Sequence, residues 1–143
     1  PILDTQKYPV AEGVLRGGYI LADADNGKPD VILIATGSEV HLVLTAREKL
    51  VNQGIKARVV SMPSMELFDE QSTEYKRHVL PLDIVKLSVE AGSSRGWREY
   101  VGDTGDVIGL KDFGASAPGN TVMEMFGFNV ENIVKRAMAL VRR

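Results

Sequence analysis

Small and polar residues follow several apolar runs of this sequence, at positions where α/β proteins commonly bind ligands. Gly37 and Ser38 follow one run, Ser64 follows a second, and Ser93 and Arg95 follow a third. Ligands of doubly wound sheets bind beyond the carboxyl ends of the strands. Backbone N–H groups at the start of a helix also attract anions. These five residues therefore form a candidate regulatory anion site.

A purely structural role for the same residues is the favoured interpretation. Serines cap helices and glycines make turns in every fold of this kind. Glu39 also places a carboxylate at the helix start that follows Ser38. This charge suits the helix dipole but opposes a bound anion.

The two histidines give weak signals for metal binding or acid–base catalysis. Glu74 and His78 are four residues apart, which places two potential metal ligands on one helix face, but an exposed ion pair is favoured. His41 has no evident catalytic partner and is expected to be a partly exposed helix residue. Lys76 and Arg77 precede His78 in a basic cluster that we expect to face solvent.

A carboxylate and two arginines stand close together after a predicted strand. Glu90 ends that strand, and either Arg95 or Arg98 could bind it in a bidentate manner. The pattern fits an effector or interface site as well as an internal ion pair, and the ion pair is favoured. Trp97, the single tryptophan, would suggest an interface anchor if exposed, but a buried position is expected.

Several catalytic motifs are missing from the sequence. It contains neither the dinucleotide fingerprint GxGxxG nor the phosphate-binding loop GxxxxGK[ST]. Gly102-Asp103 and Gly105-Asp106 do not continue into a Gly-Asp-Gly loop that binds a metal and a diphosphate. Cysteine is absent, which excludes thiolate nucleophiles and Cys-ligated metals. We therefore assign no catalytic, cofactor-binding or metal-binding residue.

The elements that would position these residues are readable from the apolar pattern. Apolar runs predict five strands at Tyr19–Ala22, Val31–Ala35, Ala57–Met62, Ile84–Val89 and Asp106–Gly109. Helical spacing predicts helices at about Glu39–Gln53, Ser72–Val79, Trp97–Val101, Asn120–Phe126 and Val130–Val141. Ser38 and Asn129 are candidate N-caps, and Gly54 is a candidate helix terminator.

The order of these elements predicts a three-layer αβα fold. The link from the first strand to the second has eight residues, too few for the crossover that parallel strands need, and it contains the turn signal Asn26-Gly27. The first strand is therefore expected to run antiparallel to the second. We predict a mixed five-stranded sheet with four parallel strands and the first strand antiparallel at the edge.

Length and composition indicate one globular domain. The chain has 143 residues, of which 44% are hydrophobic and 25% charged. Its net charge of −2 gives no general attraction to nucleic acid or anionic membranes. The absence of cysteine favours a cytoplasmic location. Residues 1–16 are interpreted as a linker or arm from a preceding domain and 17–143 as the domain itself. Because the first residue is Pro1, we expect a piece of a longer protein.

A series of short motifs resembles the C-terminal domain of transketolases. The resemblance covers nearly the whole chain, from Ala11-Glu12-Gly13 and Arg16-Gly17-Gly18-Tyr19 onward. Its motifs are IATGSEV at 34–40, ARVVSMP at 57–63, LFDEQ at 67–71, SVEAG at 88–92, FGASAP at 113–118 and FGF at 126–128. One of them alone would be weak, but all of them in this order are specific.

The resemblance implies a function that the isolated chain does not perform. Transketolases transfer a two-carbon ketol unit between sugar phosphates in the pentose phosphate pathway, as cytoplasmic homodimers with thiamine diphosphate and Mg²⁺. In that family the preceding domains hold both cofactors. The resemblance therefore implies that this domain supports the dimer and its neighbours, or has a regulatory role, and is inactive alone.

Two alternatives remain at this stage. One is a stand-alone regulatory module that binds a nucleotide or another anion at the helix start after Ser38. The other is the third domain of a 2-oxoacid dehydrogenase, which would bind a lipoyl-carrying core. The motifs at 36–40 and 113–118 argue against the dehydrogenase.

Overall fold

Five apolar residues form the central strand of the sheet and are buried on both faces. The computed structural model describes residues 10–90, 97–109 and 128–142. The strands are β1 (Tyr19–Ala22), β2 (Val31–Ala35), β3 (Ala57–Ser61), β4 (Val85–Glu90) and β5 (Asp106–Gly109). Their spatial order is β1-β3-β2-β4-β5. Every residue of β2 is fully buried, as expected for a strand covered by two layers.

Helices cover both faces of this sheet. They are α1 (Val10–Leu15), α2 (Val40–Asn52), α3 (Met65–Asp69), α4 (Thr73–Val79), α5 (Trp97–Val101) and α6 (Val130–Val141). Val31, Leu33 and Ala35 of β2 pack in one cluster with α2 and α6. Ile32 and Ile34 pack in the other cluster with residues of α3, α4 and α5. The alternation of side chains along β2 therefore supplies both layers of the core.

The predicted sheet is confirmed. β1 pairs with β3 in antiparallel register at one edge, and the pairs β2–β3, β2–β4 and β4–β5 are parallel. The predicted cap Asn129 accepts a hydrogen bond from the N–H of Asn132. Ser72, expected as the first residue of a helix, is instead the N-cap of α4 and accepts from the N–H of Tyr75. Gly54 follows α2 with a φ of +84°, which confirms the predicted helix end.

Several local predictions are wrong or lie outside the described residues. Ser38 does not precede its helix as a cap, because residues 37–39 form a 3₁₀ turn that leads into α2. Helical spacing also predicts Val51 on the buried face of α2 beside Leu50, but Val51 is 44% exposed. The five-residue helix α3 was not predicted, because one and a half turns give too little periodicity. The helix predicted at 120–126 lies outside the described residues.

Regular structure also begins earlier than expected, with α1 inside the segment interpreted as a linker. α1 packs on the domain, because a Cβ on Gly13 would lie 2.5 Å from the Cβ of Tyr19. Arg16, which follows α1, pairs with Glu12 at 2.7 Å and lies 4.7 Å from the ring centre of Tyr75. The domain boundary at residue 17 stays a prediction.

Two buried cations hold the end of α4 against the sheet. Arg58 of β3 and Lys86 of β4 both pair in register with Ile32 of β2. Arg58 donates to the carbonyls of His78 and Val79 at 2.9 and 3.1 Å. These carbonyls end a helix and have no partner within it. A cation there also suits the helix dipole.

Lys86 continues this arrangement along the loop after α4. Its Nζ donates to the carbonyls of Pro81 and Ile84 at 2.6 and 2.7 Å. Only 3% of Arg58 and 5% of Lys86 is exposed. The cation row, meaning Arg58 and Lys86 on either side of Ile32, thus fixes the path from α4 into β4.

Asp23 ties the entry of the sheet to the same row. Its carboxylate accepts from Nε of Arg58 at 2.8 Å, and its backbone carbonyl accepts from Arg47 of α2. Arg58 also donates to the carbonyl of Gly27 at 3.2 Å. One ion pair therefore joins the β1–β2 link to β3.

Replacing Asp23 by alanine is expected to lower the free energy of unfolding by about 3 kcal/mol, because it leaves the Arg58 charge buried without its carboxylate. Asp25→Ala is the matched control. Asp25 is exposed and makes no hydrogen bond or ion pair within the described residues, so it should change stability by less than about 0.5 kcal/mol. Urea unfolding measures both. Equal losses would show that the ion pair has no stabilising role.

Gly17 and Gly54 form a second matched pair, with φ values of +85° and +84°. A Cβ on Gly17 would lie 2.4 Å from the carbonyl oxygen of Ser64, whereas a Cβ on Gly54 meets nothing within 4 Å. Gly54→Ala should cost about 1–2 kcal/mol from backbone strain alone. Gly17→Ala should cost clearly more in thermal unfolding. A similar loss in both variants would contradict close packing of the β1 entry on α3.

Candidate functional site

Two of the five residues of the predicted anion site lie at the same edge of the sheet. Gly37 lies in the 3₁₀ turn after β2 with a φ of +61°. Ser64 lies between β3 and α3. β2 and β3 are parallel neighbours whose last residues, Ala35 and Ser61, are paired. The carboxyl ends of both strands therefore meet at this edge, as the sequence predicted.

Both positions have structural roles here. The Ser64 hydroxyl accepts from the N–H of Leu67 at 3.2 Å and caps α3. Its own N–H donates to the carbonyl of Gly17 at 2.9 Å. Glu39 is 4% exposed, and its Oε2 lies 3.9 Å from where a Cβ on Gly37 would be. A buried carboxylate at this point opposes an anion, so the anion site stays a prediction.

The other predicted residues of this edge lie outside the described part of the chain. Ser93, Arg95 and the side chains of Ser38 and Arg98 are among them, and so no geometry bears on the Glu90–arginine ion pair. Residues 92–96 also read GSSRG, which matches the GxSxG pattern letter for letter. We assign this segment no role. Trp97 is 2% exposed, which confirms its expected core position.

The described residues contain no group of three or more His, Cys, Asp or Glu that could hold a metal ion. Glu74 is exposed on α4 and His78 is half-buried on the same helix, while His41 is exposed on α2. Within the same residues, no helix is long and apolar enough to cross a membrane.

A cavity of about 240 Å³ lies on the face of the sheet that α3, α4 and α5 cover. Three cations line it, namely Lys76, Arg77 and Lys86. Asp69 and Glu99 are the two carboxylates in its wall. The lining thus has an excess of one positive charge. Lys76 and Arg77 belong to the basic cluster expected to face solvent.

The two carboxylates of the cavity are not equivalent. Asp69 accepts a 2.6 Å hydrogen bond from the Tyr100 hydroxyl, which also approaches the carbonyl of Met65 at 3.2 Å. Burial and this bond to Asp69 raise the pKa of Tyr100 well above its usual value. Tyr100 is therefore a hydrogen-bond donor at neutral pH, not an acid. Glu99 is exposed at the cavity rim.

Lys86 is the residue of this cavity that sequence reasoning missed. Desolvation lowers its pKa below 10.5, nearby Asp83 opposes this shift, and Arg77 adds to it. The signal was present, because a lysine stands inside an apolar run predicted to form a buried strand. A charged residue there must find partners or a cavity.

Comparison with known proteins identifies the family. The model of the transketolase-like TK C-terminal domain matches residues 17–129. The chain belongs to this family. It is 50% identical to the transketolase of Halalkalibacterium halodurans over 98% of its own length, but that stretch is 22% of the relative. It is 51% identical to the transketolase of Aquifex aeolicus over 95% of this chain and 20% of that relative.

Solved structures of the family have the same fold. The transketolase of Leishmania mexicana matches with a TM-score of 0.82 and 39% identity, over 92% of this chain and 19% of that one. A Pichia stipitis transketolase in complex with sedoheptulose 7-phosphate matches with a TM-score of 0.81 and 41% identity. The match covers 99% of this chain and 20% of that one. The chain therefore spans about a fifth of the length of its relatives, and corresponds to their C-terminal domain. A stand-alone regulatory module is not supported by these matches.

Lys86 predicts a pH dependence of stability. Burial lowers the folded-state pKa of Lys86 below 10.5, its value in the unfolded chain. At a pH between these two pKa values, Lys86 is mostly protonated in the unfolded chain and mostly neutral in the folded chain. The free energy of unfolding should rise with pH in this range relative to Lys86→Met. Urea unfolding from about pH 7 to about pH 10 measures it. Lys49→Met, an exposed lysine on α2, is the control. A constant difference between wild type and Lys86→Met would contradict the lowered pKa.

Proposed function

We propose that this chain is the C-terminal domain of a transketolase that transfers a two-carbon ketol unit from a ketose phosphate to an aldose phosphate. The whole enzyme uses thiamine diphosphate and Mg²⁺, acts as a homodimer, and works in the cytoplasm within the pentose phosphate pathway. This proposal rests on the identity of about 50% to transketolases over almost all of this chain.

We propose that the described part of this chain holds neither Mg²⁺ nor thiamine diphosphate. Mg²⁺ and a diphosphate need several converging oxygen ligands, and those residues offer no group of three metal-binding side chains. In this proposal the domain contributes no catalytic residue. In the proposed enzyme the preceding domains hold both cofactors and bind the sugar phosphates.

The proposed role of the domain is to brace its neighbours and the second subunit. Arg47, Arg58 and Lys86 are buried and donate to carbonyls of the chain itself, so these cations serve the fold. In contrast, Leu15 at the end of α1 is 76% exposed, and Leu67 of α3 is 42% exposed. Large exposed apolar side chains of this kind favour contact with another domain.

The full-length protein should transfer a ketol unit from xylulose 5-phosphate to an aldose phosphate. Removal of thiamine diphosphate and Mg²⁺ should abolish the transfer, and their return should restore it, because the cofactor supplies the reactive carbanion. A coupled assay of the aldose phosphate released from the donor measures this. Transfer that does not depend on the cofactor would contradict the proposed activity.

An experiment on residues 1–143 alone tests the proposed role of the domain separately from the activity of the full-length enzyme. Calorimetric titration of residues 1–143 with thiamine diphosphate and Mg²⁺ should give no saturable heat. Micromolar saturable binding would overturn the bracing role while leaving the family unchanged.

A further inference from the structure

The cavity between α4, α5 and the sheet combines a buried cation with apolar walls. Phe68 is 1% exposed and Leu80 5% exposed, while Leu82 is 75% exposed at the rim. Lys86 lies in the same wall. This lining differs from the sheet edge considered above, where Glu39 provides a buried carboxylate. The cavity is therefore an independent location for a ligand.

Lys86 has one hydrogen-bond donor left for such a ligand. An ammonium group has three N–H donors, and the carbonyls of Pro81 and Ile84 accept two of them. No other acceptor for it occurs within residues 10–90, 97–109 and 128–142. A buried ammonium that lacks a partner for one donor is costly, and a ligand oxygen would remove that cost.

Arg77 adds a second cation with N–H donors for a ligand. It is exposed at the cavity, and the described part of the chain gives its guanidinium no hydrogen bond or ion pair. Arg77 is also close enough to Lys86 for their charges to repel. Two neighbouring cations that share one cavity favour an anion between them.

Charge and shape then select the type of anion. Three cations and two carboxylates line the cavity, so one negative charge neutralises it, whereas a dianionic phosphate would leave an excess. Asp83 lies near Lys86 but outside the cavity lining, and its charge further disfavours a second negative charge on the ligand. A volume of about 240 Å³ equals about eight water molecules at about 30 Å³ each, which suits a small ring or a short aliphatic chain. Phe68, Leu80 and Leu82 offer it apolar contacts.

We infer that this cavity is a binding site for a small monocarboxylate with an apolar body, whose carboxylate lies between Arg77 and Lys86. This site does not depend on the ketol transfer proposed above. The other charged groups around it are Lys76, Asp69 and Glu99 in the lining and Asp83 near Lys86.

The test uses the full-length protein that contains this chain, with benzoate as the probe. Saturation-transfer NMR and calorimetry should show one benzoate per chain with a Kd on the order of 1 mM, as expected for a ligand of this size. Benzamide, which has the same shape without the charge, should bind at least about tenfold more weakly. Inorganic phosphate should not displace benzoate at equal concentration.

Single substitutions test whether benzoate binds in this cavity. Arg77→Gln should weaken benzoate binding about tenfold without a change in the melting temperature, because Arg77 has no partner to lose. Lys49→Gln removes the same charge from α2 on the opposite face and should bind as the wild type does. Lys86→Met, checked for folding by circular dichroism, should abolish binding.

Three results would overturn the inference. They are no saturable benzoate binding, binding that Arg77→Gln leaves unchanged, and binding in which benzamide or phosphate equals benzoate. The first two would remove the site, and the third would remove its assignment to a monocarboxylate. The ketol-transfer assay would be unaffected by any of them.

Discussion

The cation row of Arg58 and Lys86 on either side of Ile32 is the interaction on which one whole layer of the fold depends. It donates hydrogen bonds to carbonyls at the end of α4 and in the loop after it, where backbone carbonyls would otherwise be buried without donors. It also holds the β1–β2 link through Asp23. The same two side chains therefore stabilise the position of α4, the path into β4 and the link that follows the antiparallel edge strand.

This use of charge explains why the described part of the domain contains several buried cations, namely Arg47, Arg58 and Lys86. Arg58 and Arg47 donate mainly to carbonyls and to one carboxylate of the chain itself. Lys86 differs because one of its donors remains unused and a cavity adjoins it. The first two residues stabilise the fold through these hydrogen bonds, and only the third has a donor available for a ligand.

The sequence predicts the sheet well because the strongest constraint is local. The continuous run of β2 requires two covering layers, and the short link after β1 excludes a parallel crossover. The amphipathic stripe and the Asn129 cap likewise define α6. By contrast, α1 and α3 have six and five residues, too short for a periodic signal, and packing against Tyr19 and the β1 entry stabilises them.

The candidate site was less predictable, because burial and neighbours decide what a residue can do. Ser64 follows the strand end where a ligand residue was expected, yet its hydroxyl is used as a cap. Lys76 and Arg77 were expected to be a solvated face, and only the fold places them beside Lys86 in one cavity. The lysine inside a buried strand was the one available signal, and its partners come from residues two and five positions away.

The most direct test of the account is a structure of the full-length protein with thiamine diphosphate and Mg²⁺ bound. We expect no atom of residues 17–143 to lie within hydrogen-bonding distance of the diphosphate or to coordinate the metal, and we expect the fold of β1 to β5 to stay as described. A metal or diphosphate ligand contributed by this chain would contradict it.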